Sequence, residues 1–164
     1  MREAAIQLGM ENDPRTEANA EILETGAVAP RAISPADPDA AKDFFIERDG
    51  QRYAGVHLII DLWGAEGLDD IDHVETALRD CVAASGATLL HIHLHHFSPS
   101  KGVSGVAVLA ESHISVHTWP ENGFAAFDVF MCGETEPHRS VEVLQRAFRP
   151  HRLEVGEHLR GRAE

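Results

Sequence analysis

The sequence predicts an α+β fold, a two-layer sandwich in which a mostly antiparallel sheet carries helices packed on one face. Three observations point there. Between residues 88 and 132, apolar segments of strand length follow one another with only turn signals between them. Two amphipathic helical stretches bracket this meander, and a further strand candidate lies outside each helix.

Taken in order, "GVHLIIDLW" (55–63) is rich in branched apolar residues and sits between glycines, so it reads as a buried strand. "LDDIDHVETALRDCVAASG" follows. Asp69 or Asp70 is available as N-cap, Ile71, Val74, Leu78, Cys81 and Val82 fall at helical spacing, and Gly86 stands past the end. "TLLHIHLHHF" (88–97) alternates like a strand, with His91, His93 and His95 on one face and Leu90, Ile92 and Leu94 on the other. "GVAVLAES" and "HISVHTW" are two more strands, and "FAAFDVFMC" (124–132) comes after the turn "PENG". "HRSVEVLQRAF" (138–148) places Val141, Leu144, Ala147 and Phe148 on one helical face, and "HRLEVGEHL" returns as a last strand.

At 164 residues the chain suits one ordinary domain with a proper core. Residues 1–50 differ in texture: they hold Pro14, Pro30, Pro35 and Pro38, acidic residues outnumber basic ones, and no apolar period is sustained. This segment is expected to be a disordered or loosely attached acidic arm, with the domain proper at 51–164. A formal net charge of -13 argues against nucleic acid or an anionic membrane as partner, since both call for clustered Lys and Arg, and it suits a small cationic substrate. Two cysteines, with no apolar run of membrane-span or signal-peptide character, suggest a protein of the reducing cytoplasm.

The polar residues admit several chemistries. His91, His93 and His95 offer three imidazoles on one face, as a zinc site would need, yet no carboxylate or cysteine stands at ligand spacing nearby, so no metal is expected. Ser104, Ser112, His113, His117 and Asp128 contain the residue types of a serine hydrolase, but the elbow G-x-S-x-G is absent from Gly102-Val103-Ser104-Gly105-Val106. Cys81 lies on an apolar helical stripe and reads as core. Cys132 ends a strand and is open to a structural or a reactive role. At Glu111-Ser112-His113 a third chemistry is possible. A serine hydroxyl that reaches the carbonyl before it can shift the acyl group from nitrogen to oxygen, and the ester can then eliminate, cleaving the chain. This needs a strained peptide, a donor for the oxyanion and a base for the serine α-proton. Ser104 and His117, a few residues away on neighbouring strands, are candidates for the last two. Spacing permits this chemistry without selecting it over ordinary polar residues on a wet sheet face.

"GVSGV", "AESHISVHTWPE" and "AAFDVFMCG" together resemble the central signature of the small bacterial and archaeal S-adenosylmethionine decarboxylase proenzymes. The likeness runs more loosely from "GVHLIIDLWG" to "EHLRGR", over residues 55–162. It implies self-cleavage between 111 and 112, with Ser112 becoming a pyruvoyl cofactor that forms a Schiff base with the substrate amine. Glu111 would end the larger chain, Ser104 and His117 would assist processing, and Cys132 would be the proton donor in decarboxylation. Phe97 and Trp119 match aromatic positions expected to stack on adenine, and Glu121 matches the carboxylate expected to bind the ribose hydroxyls. The resemblance further implies a homodimer of two sandwiches back to back with the active sites at the interface, and S-adenosylmethionine as the small-molecule substrate, serving polyamine synthesis. Departures bear on the substrate. "SPSK" carries an insertion between Phe97 and Ser104, His96 stands where arginine is common, and Asn122 and Phe124 replace more usual choices. Arginine or ornithine is therefore the alternative substrate, and a non-catalytic metal-binding relative the alternative class. His113 has no assigned task.

Overall fold

The structure, a computed structural model, describes residues 44–98 and 101–163. It begins with a tight hairpin. Asp49 and Gly50 take positive φ of 54° and 71°, the conformation of a two-residue turn, and join β1 (Ile46–Arg48) to β2 (Gln51–Trp63). β1 falls inside the stretch expected to be a loose arm, so regular structure starts earlier than the proline-rich composition suggests; residues 1–43 of that arm lie outside the described residues. β2 is also longer than its apolar run, because its first residues pair with β1.

α1 (Ile71–Ala84) starts where the sequence places its cap. The Asp70 carboxylate accepts the N–H groups of Asp72 and His73 at 3.1 and 3.0 Å, satisfying two of the donors that a helix start leaves open. Its stripe of Val74, Ala77, Leu78, Cys81 and Val82 is buried. α2 (Arg139–Phe148) buries Ser140, Val143, Leu144 and Phe148, while Val141 and Ala147 of the predicted stripe are only partly covered. A hydroxyl pair accounts for the rotation: Ser140 Oγ meets Ser85 Oγ at 3.0 Å, and the Ser140 carbonyl accepts the Cys81 thiol at 3.8 Å, so a serine takes the helix–helix contact. Burial pushes the Cys81 thiol up to about 12, the behaviour of a core residue.

The remaining strands are β3 (Leu89–His96), β4 (Val103–Leu109), β5 (Ser112–Trp119), β6 (Phe124–Met131) and β7 (Arg152–Arg162). Together the seven form one antiparallel sheet in the order β1-β2-β6-β5-β4-β3, with β7 paired to β2. Alternation sorts the side chains: Leu58, Ile60 and Leu62 of β2, Ile114 and Val116 of β5, and Phe127 and Val129 of β6 are buried, in one cluster with the buried residues of α1 and α2. Each large apolar side chain so covered stabilises the fold by roughly 1.5–3 kcal/mol. The neighbours of these residues, among them Ile59, Val108 and Trp119, remain exposed, as do His91, His93 and His95. Among the described residues no helix is long and apolar enough to cross a membrane.

Candidate active site

Two groups of polar side chains stand at opposite ends of the β4–β5 strand pair. The first is at the turn. Leu109 pairs with Ser112, so Ala110 and Glu111 alone connect the strands. Two-residue hairpins favour glycine or asparagine because their turns need positive φ. Here neither is present, and the positive φ, 145°, falls on Ser112. That is a conformation an L-residue with a side chain adopts only at a cost of roughly 1–3 kcal/mol.

The peptide before this serine is held on several sides. The Glu111 carbonyl accepts the backbone N–H of Cys132 at 3.1 Å and the Cys132 thiol at 3.0 Å. The Glu111 carboxylate accepts the Thr88 N–H at 2.9 Å, and the Ala110 N–H donates to the Thr88 carbonyl at 3.0 Å. Burial, and after it the charge of Glu111, raises the Cys132 thiol above its usual range, so it carries its proton at neutral pH. Behind the turn lies an open cavity of about 630 Å³ lined by Phe44, Glu47, Gly86, Glu111 and Glu134 among others.

The second group is further along. Ser104 and His117 are cross-strand partners, and Ser104 Oγ meets His117 Nδ1 at 2.8 Å. The His117 ring lies 6.1 Å from that of Trp119, which lies 5.3 Å from Phe124. Trp119 is 39% exposed and Phe97 60% exposed. Glu121 is exposed on the 3-10 turn Pro120–Asn122 that follows. Gly102 permits this crossing, since a Cβ there would stand 2.2 Å from the Thr118 carbonyl oxygen.

Five residue steps along extended strand take the chain from Ser112 to His117, about 16 Å at the usual rise. The structure thus unites Glu111, Ser112 and Cys132, and separately Ser104 and His117, but it does not bring the two groups together within one chain. Ser104 and His117 therefore lie away from Ser112 along the sheet of a single chain, because nearness in sequence along a strand is distance in space. Asp128 joins neither group: it accepts the Ser115 hydroxyl at 2.9 Å and stands 3.4 Å from His57 Nε2. Among the described residues no group of three metal-ligating side chains occurs.

The family model described as S-adenosylmethionine decarboxylase matches residues 56–161, the span that carries both groups. The chain belongs to that family. Among similar members, the S-adenosylmethionine decarboxylase proenzyme of Thermomicrobium roseum is 51% identical over 108 residues, covering 65% of this chain and 93% of that protein. The proenzyme of Methanococcus maripaludis strain C7 is 51% identical over 110 residues, covering 65% and 89%. The crystal structure of the adenosylmethionine decarboxylase from Aquifex aeolicus superposes with a TM-score of 0.62 at 34% identity, covering 68% of this chain and 94% of that one. Sequence reasoning about this decarboxylase-family chain missed Thr88, whose contribution is a backbone N–H and carbonyl with no side-chain signature. It equally missed the positive φ at Ser112, although the glycine-free two-residue connection was a signal.

Proposed function

We propose that this chain is a proenzyme that cleaves itself between Glu111 and Ser112, converts Ser112 to an N-terminal pyruvoyl group and then decarboxylates S-adenosylmethionine. The observation that carries this reading is the scissile peptide itself: a serine at φ 145° behind a carbonyl that receives two hydrogen bonds from Cys132. Attack of Ser112 Oγ on the Glu111 carbonyl carbon places negative charge on an oxygen already faced by an N–H and an S–H, an oxyanion hole formed in advance. Moving the acyl group to oxygen also releases the backbone strain at Ser112. A base must next take the Ser112 α-proton. His117 suits the task, with Nδ1 engaged by Ser104 and its Nε2 left for proton transfer.

Given the separation of about 16 Å, His117 and Ser104 act on Ser112 of another copy. In this assembly α1 and α2 cover one face of the sheet, and the opposite face, bearing Ile59, Val108, Ser104, His117 and Trp119, meets its equivalent back to back. A two-fold axis across the antiparallel strands sets the Ser112 end of each β5 against the His117 end of its partner. The same symmetry brings Phe97 and Trp119 to stack on the adenine and Glu121 to the ribose hydroxyls. The acidic composition favours the sulfonium cation, and the compartment proposed for the chain is the cytoplasm, where its two free cysteines would stay reduced.

When present, the pyruvoyl ketone supplies the electron sink into which a decarboxylating amino acid releases its bonding pair. Cys132, protonated at working pH, returns a proton to the substrate α-carbon. Because Cys132 also faces the Glu111 carbonyl, Cys132→Ala is expected to slow both cleavage and turnover, each by roughly 10²- to 10³-fold. Timed mass spectra and carbon dioxide release measure the two effects; unchanged turnover would contradict the proton-donor role. Substrate choice is tested with cleaved protein and carboxyl-labelled S-adenosylmethionine, arginine and ornithine side by side. Release from S-adenosylmethionine at least about 100-fold faster than from the others is expected, and a preference for arginine or ornithine would replace the substrate while leaving the processing chemistry in place.

A further inference from the structure

The anchors on Glu111 survive the cleavage they adjoin. Thr88 N–H to the Glu111 carboxylate, Ala110 N–H to the Thr88 carbonyl and Cys132 N–H to the Glu111 carbonyl all lie on the amino-terminal side of the bond to Ser112, or hold that side to β6. None passes through Ser112. In the cleavage, which this inference takes from the proposed function, His117 of a partner copy removes the Ser112 α-proton. The Glu111 carboxylate departs with the electron pair of the Cβ–Oγ bond, and water then displaces the serine nitrogen as ammonia to leave the ketone. The carbonyl 3.0 Å from Cys132 Sγ has by then become a full carboxylate.

We infer that the Thr88 anchor keeps this new carboxylate against Cys132, so that self-cleavage, in the act of making the electrophile, also holds the thiol that must later donate a proton in its protonated form up to a higher pH than in the uncleaved chain. Glu111 is then a positioning residue with two functions, its side chain as tether and its new terminus as the charge. A carboxylate at hydrogen-bond distance disfavours the thiolate more than the neutral carbonyl it replaces. The other titratable groups on the elements packed around the thiol are Glu47 and Arg48 of β1, Arg52, Tyr53, His57 and Asp61 of β2, His113 and His117 of β5, Asp128 of β6 and Glu134 after it. The peptide bond between Glu111 and Ser112 includes none of them, and all are present in the same number before and after cleavage. The raised pKa of the thiol in the uncleaved chain, with Glu111 as its second cause, has the same direction.

The test is the pH dependence of iodoacetamide alkylation at Cys132, read by peptide mass mapping in cleaved wild type and in uncleaved Ser112→Ala. The midpoint should lie higher in the cleaved protein by roughly one pH unit or more, a tenfold smaller thiolate fraction at fixed pH. Glu111→Gln retains an oxygen acceptor for Thr88 N–H and should preserve most of this difference. Glu111→Ala removes the tether and should abolish it; a full difference in Glu111→Ala would overturn the anchor. Equal midpoints in fully cleaved wild type and Ser112→Ala overturn the inference while leaving the proposed function standing. A wild-type chain that never cleaves overturns both, and intact mass separates the two cases.

Discussion

Ser112→Ala is expected to remain a single chain of 17.9 kDa under conditions where the wild type separates into chains spanning residues 1–111 and 112–164, and it should release carbon dioxide at least roughly 10⁴-fold more slowly. The reason is specific to one oxygen. Cys132 can stabilise charge on the Glu111 carbonyl only if a nucleophile attacks the carbonyl carbon, and the proposed nucleophile is the hydroxyl of the next residue in the chain. Alanine leaves the anchors of Thr88 and Cys132 intact, so the fold should survive with its denaturation midpoint changed little. That pairing of unchanged stability with abolished chemistry distinguishes loss of a nucleophile from loss of structure. Intact-mass measurement after prolonged incubation decides the matter, and cleavage of Ser112→Ala at any comparable rate would remove the proposed chemistry at its first step.

Much of this arrangement was legible in the sequence because strong local signals agreed with the tertiary fold. Asp70 could be read as a cap and Val74, Leu78, Cys81 and Val82 as a buried stripe since capping and a 3.6-residue period act within one helix. The His91, Ile92, His93, Leu94 alternation was equally local. β1 was not legible, since three residues establish no period and its stability comes from the Asp49-Gly50 turn and from pairing with β2. α2 turned slightly from its predicted face because Ser85, the residue that caps the end of α1, supplied the hydroxyl that Ser140 meets. The candidate site shows the same division. Motif likeness picked out Glu111, Ser112, Cys132, Ser104 and His117, but distance along β5 decides which can meet, and that is a property of extended geometry rather than of residue type. Thr88 acts through peptide groups that every residue but proline carries, so no pattern in the side chains could have named it.

That geometry leads to the second large effect. His117→Ala alone should process slowly or not at all, as should Ser112→Ala alone, yet the two produced together should restore cleavage. In a mixed dimer, the serine of the His117→Ala chain faces the intact histidine of the Ser112→Ala chain, while the other site carries both substitutions. Random pairing places half of the His117→Ala chains in such dimers, so roughly a quarter of all chains should be cut, and only those carrying alanine at 117. A site completed within one chain allows no such rescue, because each chain would lack one of its own residues. Mass spectrometry distinguishes the fragments, since residue 117 lies on the carboxy-terminal piece. Decarboxylation should return in proportion to the cut chains if Phe97, Trp119 and Glu121 also act across the interface, as their place at the His117 end of the sheet requires. Cleavage without rescued turnover would assign those three residues to a different relation with the serine. Absence of both, in a preparation shown to contain mixed dimers, would mean that about 16 Å of strand is bridged in some way other than by a second copy.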